Sequence, residues 1–392
     1  MAAVNPAILI WARETAGLDL ESAAKKIGLN TVRGVSGADR LAAFEAGDGN
    51  PSGPLLQKMS QQYRRPLLTF YMPKMPRPAE IGQDFRTLPD KGSPSNILLA
   101  TLLRDIKARQ SLVRDTLEDD EDVSEVALVG SKANVKKPAE LADALVGAIG
   151  FNRVEYRSAQ DAFGYLRALI EAKGIFVLLA GDCGHWSTQI EVTVFRGFAI
   201  ADSLAPFIVV NDQDAKAAWS FTLLHELAHL LLGETGVSGG APQAGIEQLC
   251  NDTAAAVLLA PDEISALTLT GGAGDIAEIN GLADQASVSR TMVAYQLFRA
   301  DRITFSRWEG LRDQFRREWL ANREKTRDRN RSQDGGPNWY TVRRHRLGAA
   351  LLAVARQGIA DGSLTPTRAG RMLGVKPMAV YPLLAEPKRA FG

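Results

Sequence analysis

The stretch FTLLHELAHLLLG, residues 221–233, predicts a buried helix in which a few polar side chains are set among leucines. Because helical residues four apart share a face, His225 and His229 can bind one metal ion through their imidazole nitrogens, with Glu226 beside them. A surface helix that merely carries two histidines is the alternative. The apolar flanks disfavour it, because they predict burial, where unpaired polar groups are costly. The stretch therefore predicts a metal site of the kind that binds zinc.

A third protein ligand is expected from the next helix, GIEQLCNDTAAAVLLAP, which begins at residue 245 after a glycine-rich break. Glu247 follows His229 by 18 residues, which lets an antiparallel helix fold back and offer a carboxylate to the same ion. Asn251 lies one helical turn further on and is a candidate to hydrogen-bond a ligating histidine. Glu234 is a weaker rival, because it falls in the loop after the first helix.

These two segments resemble the ImmA/IrrE family of bacterial metallopeptidases, whose signature contains FT-L-HELxH followed by E-x-x-A-N-x-F-A. The similarity covers roughly residues 136–300. It implies that Glu226 is the catalytic base, which activates a zinc-bound water for attack on a peptide bond. The zinc ligands that it implies are His225, His229 and Glu247.

Two residues depart from this signature. Cys250 stands where alanine is usual, and Thr253 stands where an aromatic residue is usual. Both changes are expected to affect packing more than metal binding. The signature gives no firm donor for the transition state. His185, in GDCGHWS, is a candidate to stabilise an oxyanion, although a loop histidine without that role is the simpler interpretation.

Three short β-rich runs, IFVLLAG, IEVTVFRGFAIAD and APFIVVND, precede the metal-site helix and predict a small sheet. Helical periodicity dominates the rest of the chain. The expected fold class is α+β and mostly helical, with a zincin-like metallopeptidase domain between two all-helical domains. The expected parts are an XRE-type helix-turn-helix domain (1–75), a linker and connecting helix (76–135), the ImmA/IrrE-like domain (136–330) and a small basic helical domain (331–392).

Residues 8–72 resemble an XRE-type helix-turn-helix module, on the segments ILIWARETAGLDLESAAKKIGL, RLAAFEAGDGNPS and QYRRPLLTFYMP. In such modules the second helix of the pair enters the major groove, which would place Arg40 near bases and Arg33 near phosphate. The connection NTVRGVSG is longer and richer in glycine than the usual tight turn. A module that packs against the peptidase or a partner is therefore an equal alternative to DNA binding.

The C-terminal segment TPTRAGRMLGVKPMAV has the shape of a second helix-turn-helix, with Thr365 and Pro377 expected to begin its two short helices. A basic run precedes it, and this run could bind phosphate or an acidic protein. A solvated surface is the default interpretation of such a run. Its candidate DNA contacts are Arg343, Arg344 and Arg346.

The composition, with 45% hydrophobic and 23% charged residues, argues against wholesale disorder. No segment approaches the ~18 apolar residues of a membrane span, so a cytoplasmic location is expected. Two cysteines are too few for a disulfide framework. Residues 1–75 carry nine Lys/Arg against six Asp/Glu, residues 331–392 carry ten against three, and the segment between them carries 27 against 36. Basic ends suit contact with nucleic acid or an acidic partner.

The sequence leaves three functions open. The first is a zinc-dependent endopeptidase coupled to a DNA-binding transcriptional regulator, which cleaves a specific repressor or other partner protein. The second is an antitoxin-like protein that neutralises a partner toxin and represses its operon without needing proteolysis. The third is a DNA-binding stress regulator whose metal site senses zinc or redox state. Expected partners are a protein substrate or toxin, double-stranded DNA and a second copy of the chain in a homodimer, without a membrane.

Overall fold

The computed structural model of the protein describes residues 4–63, 65–75, 94–120, 122–238, 244–272, 274–331 and 338–385. The α-helices in these ranges are α1 (Pro6–Glu14), α2 (Leu20–Ile27), α3 (Gly37–Ala46), α4 (Gly53–Tyr63), α5 (Pro94–Glu118), α6 (Pro138–Ile149), α7 (Arg153–Ser158), α8 (Ala162–Glu171), α9 (Lys216–Leu232), α10 (Ala244–Leu258), α11 (Pro261–Ala266), α12 (Gly274–Gln285), α13 (Arg290–Arg299), α14 (Phe305–Arg331), α15 (Trp339–Leu347), α16 (Ala349–Ala360), α17 (Pro366–Leu373) and α18 (Val380–Leu384). The strands are β1 (Phe176–Leu179), β2 (Gly197–Ile200), β3 (Phe207–Val210) and β4 (Gly236–Ser238). The prediction of a mostly helical α+β chain with a small sheet is confirmed.

The four strands form one sheet in the order β1-β3-β2-β4. β1 and β3 are parallel, whereas β2 is antiparallel to both β3 and β4. Every residue of the first three strands is buried, as expected for short apolar runs covered on both faces. The sheet differs from the sequence prediction in two places. Residues 191–194 form a turn instead of extending β2, and β4 lies in the break that was expected to be a loop.

The metal-site helix α9 packs against β2, β3 and α10, and α10 in turn packs against α6. Leucines and alanines of α9 and α10 belong to one apolar core together with side chains of β1 and β3. Gly233 ends α9 in the left-handed conformation, φ +77°, and its N–H caps the carbonyl of His229. These contacts hold α9 in the core on nearly all sides, so its polar residues are buried as well.

Local caps begin and end the second of the N-terminal helices. Asp19 caps α2 by accepting from Ser22 N, and Gly28 ends that helix in the left-handed conformation. A buried ion pair joins α1 to α3: Arg13 Nε lies 2.7 Å from Glu45 Oε1. Between α2 and α3 the chain forms a small hairpin in which Val32 and Val35 pair. This hairpin replaces the tight turn of a standard helix-turn-helix.

The C-terminal helices begin at the positions that the sequence predicts. The Thr365 side chain caps α17, and Pro377 begins a 3₁₀-helix that leads into α18. A buried ion pair on α8 meets this part of the chain. Glu171 Oε2 accepts from Ala349 N at 3.0 Å, and Arg167 donates to the carbonyl of His345. The N-terminus of α16 is therefore capped by a carboxylate of the central domain.

By internal contacts the chain divides into two compact units, Met1–Asp105 with Asp182–Ile190, and Ile106–Gly181 with Glu191–Gly392. The division into four parts expected from the sequence stays a prediction. Residues 76–93, which follow the expected N-terminal domain, and residues 332–337, at the expected start of the C-terminal domain, fall outside the described residues. Among the described helices, none combines the length and the apolar character that a membrane crossing requires.

Candidate metal centre

Two histidines of α9 face each other in the protein interior. The Nε2 atoms of His225 and His229 are 3.1 Å apart, and the two residues are 4% and 5% exposed. The spacing follows from the helix, because four residues advance the chain by about one turn. Flanking leucines of α9 keep bulk water away from both rings. The helix therefore places the two imidazole Nε2 atoms close enough together to bind the same ion.

Glu247, near the start of α10, completes this group. Its Oε2 lies 3.3 Å from His225 Nε2, and its Oε1 lies 3.2 Å from His229 Nε2. The ligand atoms of the three residues all lie within 4.8 Å of one another. Two imidazoles and a carboxylate form a ligand set that zinc takes in catalytic sites, where a fourth position stays open. The residues therefore fit one divalent cation, with zinc as the best chemical match.

The electrostatics of the group favour a cation. Burial alone would raise the pKa of Glu247, but hydrogen bonds from His225 and His229 lower it to about 2. Burial alone would lower the pKa of His229, but hydrogen bonds with the Cys250 thiol and the Glu247 carboxylate raise it to about 11. At neutral pH the carboxylate is therefore ionised and His229 holds a proton, at the position where a metal ion would place its positive charge.

Glu226 is fully buried and lies against β2. Gly197 of β2 makes this placement possible, because a Cβ atom there would come 2.7 Å from Glu226 Oε1 and 2.7 Å from Thr222 Cγ2. The sequence analysis did not single out Gly197. The only feature of the sequence that pointed to Gly197 was that a glycine stands inside a β-rich run. Such a glycine often marks the close approach of another group to the strand.

Other residues considered around the ligands are placed differently. Asn251 makes no hydrogen bond to either histidine in the described structure, and Nδ1 of His225 is buried without a hydrogen-bond partner there. The role of Asn251 beside the ligands stays a prediction. Glu234 is not part of the ligand group, and its backbone N–H donates to the carbonyl of His229. Cys250 is fully buried, and burial raises the pKa of its thiol.

A cleft of about 480 Å³ lies beside the start of α10. Its walls include the apolar side chains of Leu232, Ile246 and Leu249, and Lys136 and Glu234 also line it. Ile246 and Leu249 flank Glu247 in sequence, but none of the three ligand residues is among the lining residues of the cleft. Such an apolar cleft with a few charged groups is the usual form of a binding site for a side chain or small ligand.

His185 lies in the segment Asp182–Ile190, which is grouped with the N-terminal unit. Its side chain caps the short 3₁₀-helix Trp186–Thr188, and its Nδ1 lies 2.7 Å from Ser187 Oγ. These contacts give the imidazole a local structural role. Its participation in transition-state stabilisation stays a prediction.

The arginines expected to contact DNA differ in their surroundings. Arg33 is exposed at the hairpin tip with φ +51°, and Arg40 donates to the carbonyl of Asn30 at 2.8 Å. Arg343 and Arg344 donate to backbone carbonyls at the ends of α17 and α18, as guanidinium groups at helix C-termini commonly do. Arg346 pairs with Asp212 of the central domain at 2.6 Å. The arginines of the C-terminal basic run thus make contacts inside the protein. The sequence analysis, which expected a solvated or phosphate-binding surface, did not foresee these contacts.

Comparison with protein families gives one match. Residues 187–298 match the model of the IrrE N-terminal-like domain, Peptidase_M78. This range contains Glu226 and all three residues of the ligand group, so the match supports the resemblance to the ImmA/IrrE family and a metallopeptidase-type function for this part of the chain. Neither the curated proteins nor the solved structures gave a significant match.

Replacing Glu247 with alanine should weaken zinc binding by at least about a hundredfold, because two neutral imidazoles alone leave the ion without its anionic ligand. Glu234→Ala provides the matched control, since Glu234 is the nearby carboxylate that is not part of the ligand group. Competition with a chromophoric chelator measures both affinities. Equal losses of zinc affinity in the two variants would contradict the assignment of Glu247 as a zinc ligand.

Zinc binding near pH 7 should release about one proton, because His229 with a pKa of about 11 must lose its proton to become a ligand, whereas Glu247 is already ionised. Raising the pH removes the competing proton. Apparent affinity should therefore rise by about tenfold per pH unit between about pH 6 and pH 8. Titration calorimetry in buffers of different ionisation enthalpy counts the released protons. Heats independent of the buffer would refute this picture of the metal-free site.

Proposed function

We propose that the chain is a zinc-dependent endopeptidase that cleaves a specific regulatory or partner protein. The observation that carries this proposal is the convergence of His225, His229 and Glu247 on one point in the interior. Glu226 follows His225 directly on the same helix. The match to the IrrE N-terminal-like domain supports the reaction class. A zincin-like fold around α9 and the small sheet is part of the same proposal.

The reaction requires a proton acceptor, a proton donor and a positive charge at the scissile carbonyl. A bound zinc ion would supply Lewis acidity, which lowers the pKa of water and polarises the carbonyl. Glu226 accepts the proton of the attacking water and later returns it to the leaving amine. Because Glu226 is fully buried and lies against Gly197, its carboxylate has little freedom to turn away. A fixed carboxylate loses little entropy when it reaches the transition state.

The proposal includes a regulatory context. The N-terminal part, residues 1–75, would act as a helix-turn-helix domain that brings the peptidase to DNA. The alternative function is that of an antitoxin-like protein, which binds a partner toxin and represses its operon without cleaving anything. Both versions use the same modules, and they differ in whether Glu226 is required.

Replacing Glu226 with glutamine should abolish cleavage, with a loss of about 10²- to 10⁴-fold in rate, because the amide cannot accept the proton of water. Zinc affinity should stay within about threefold, since the three ligands remain. New protein N-termini, measured by mass spectrometry in cells that also express the neighbouring genes, report the cleavage. Glu278→Gln, which changes an exposed carboxylate on α12 in the same way, is the control that keeps the cleavage.

The comparison separates the two versions of the function. If Glu226→Gln still rescues growth from a toxic neighbouring gene product and no new N-termini depend on Glu226, the endopeptidase proposal is wrong and the antitoxin-like function holds.

Full-length protein should bind duplex DNA with a strong salt dependence, and deletion of residues 1–75 should remove that binding. Arg33→Glu should weaken it, because Arg33 is exposed at the hairpin tip and would approach a phosphate. Fluorescence anisotropy with a duplex of the upstream region measures both effects. Failure of the intact protein to bind any such duplex at low salt would contradict a DNA role for this part.

A further inference from the structure

The C-terminal module, residues 338–385, carries a surface cleft of about 390 Å³. The start of α15 forms one wall with Trp339 and Tyr340, whose rings meet edge to face at 5.0 Å. The segment that follows α17 forms the other wall, with Val375, Lys376 and Met378. The cleft is therefore mainly apolar and aromatic, with one cation on its wall.

The apolar groups at and near this cleft are unusually exposed. Trp339 is 52% exposed and Met378 is 80% exposed. Tyr381, one helical turn beyond Met378, is 60% exposed. Tryptophan, tyrosine and methionine are enriched in the centres of protein interfaces, where they supply large contact areas. Grouped exposure of such residues on a soluble protein commonly marks a binding surface.

The charge of the module adds a second constraint. Residues 338–385 contain seven Lys/Arg and a single acidic residue, Asp361. Lys376 lines the cleft, and the guanidinium of Arg109 lies against Gly374 at its edge. The excess of positive charge on the module, with Lys376 in the cleft wall, attracts negatively charged ligands and orients them as they approach.

The chemistry of the exposed side chains favours a protein over DNA as the ligand. The last helix of this module, α18, and the turn before it expose Met378, Tyr381 and Pro382, which lack the amide and guanidinium groups that read base edges. Arg343 and Arg344 donate to carbonyls within the module. Burial of tryptophan and methionine is favourable only against apolar groups, which a phosphate backbone does not offer.

We propose that this cleft binds an acidic segment of a partner protein, which inserts an apolar side chain between Trp339 and Met378 while its carboxylates face Lys376. The segment binds in a site distinct from the metal centre, and its binding does not require peptidase activity. The module thus selects a protein partner through charge and through one apolar anchor.

Three fluorescein-labelled peptides of about 20 residues test the proposal with the full-length protein. The first is an amphipathic helix with leucine and phenylalanine on one face and glutamate on the other. The second carries lysine in place of glutamate, and the third carries serine in place of the apolar residues. Anisotropy titrations at physiological salt, up to about 100 μM protein, measure their affinities. The acidic amphipathic peptide should bind at least about tenfold more tightly than the other two.

Variants locate the binding. Trp339→Ser and Met378→Ser should each weaken binding of the acidic peptide by about tenfold, and Lys376→Glu should weaken it by about fivefold. Val154→Ser is the matched control, because it also removes a highly exposed apolar side chain, 75% exposed on α7, and should leave binding unchanged. Circular dichroism melting curves identify any variant that fails to fold. Met378→Leu, which keeps an apolar side chain at an exposed position, should retain binding.

Several outcomes would overturn the proposal. Absence of binding by the acidic peptide, equal binding of all three peptides, or equal effects of Val154→Ser and Met378→Ser would each reject the cleft as the site. A duplex DNA of 20 base pairs serves as the last probe. If it binds and Lys376→Glu or Met378→Ser removes this binding, the surface is a nucleic-acid site instead.

Discussion

Two imidazoles and a carboxylate meet in the interior between α9 and α10, and the packing of these two helices with the sheet depends on this contact. Removing three such groups from water is unfavourable unless they share hydrogen bonds, a proton or a metal ion. The shared charge explains why the pKa of Glu247 falls to about 2 although burial opposes it. It also ties α10 to α9, because Glu247 of α10 pairs with both histidines of α9.

The sheet also packs against α9 and supports the metal centre. β2 and β3 pack on the helix and fix its position, and Gly197 leaves the space that the Glu226 side chain occupies. A close-packed interior transmits small changes, so a single methyl group at Gly197 of β2 would displace the Glu226 carboxylate. The site is thus built from a helix, a strand and the start of a second helix, rather than from loops that can move independently.

The buried ion pair Arg167–Glu171 on α8 connects this helix to the C-terminal module. Burial lowers the pKa of Arg167 and raises that of Glu171, which shows how fully both groups are removed from water. Both groups also form hydrogen bonds to the backbone near α16. Arg167 donates to the carbonyl of His345, and Glu171 accepts from the N–H groups of Ala349 and Ala350. A pair of this kind defines a docking position more than it adds stability. With this docking, the exposed apolar cleft on the module is held at a fixed place on the molecule.

The sequence by itself determined what depends on local periodicity and local chemistry. It predicted the helix of His225 and His229, the helix start at Thr365, and the small sheet, because each follows from a few neighbouring residues. The proximity of Glu247 was an inference from spacing, and only the tertiary structure brings its oxygens near both imidazoles. The tertiary structure alone decided the role of Gly197, the existence of β4 and the internal contacts of the C-terminal arginines. These features depend on which distant segments pack together, and packing between distant segments leaves no periodic signal in one sequence.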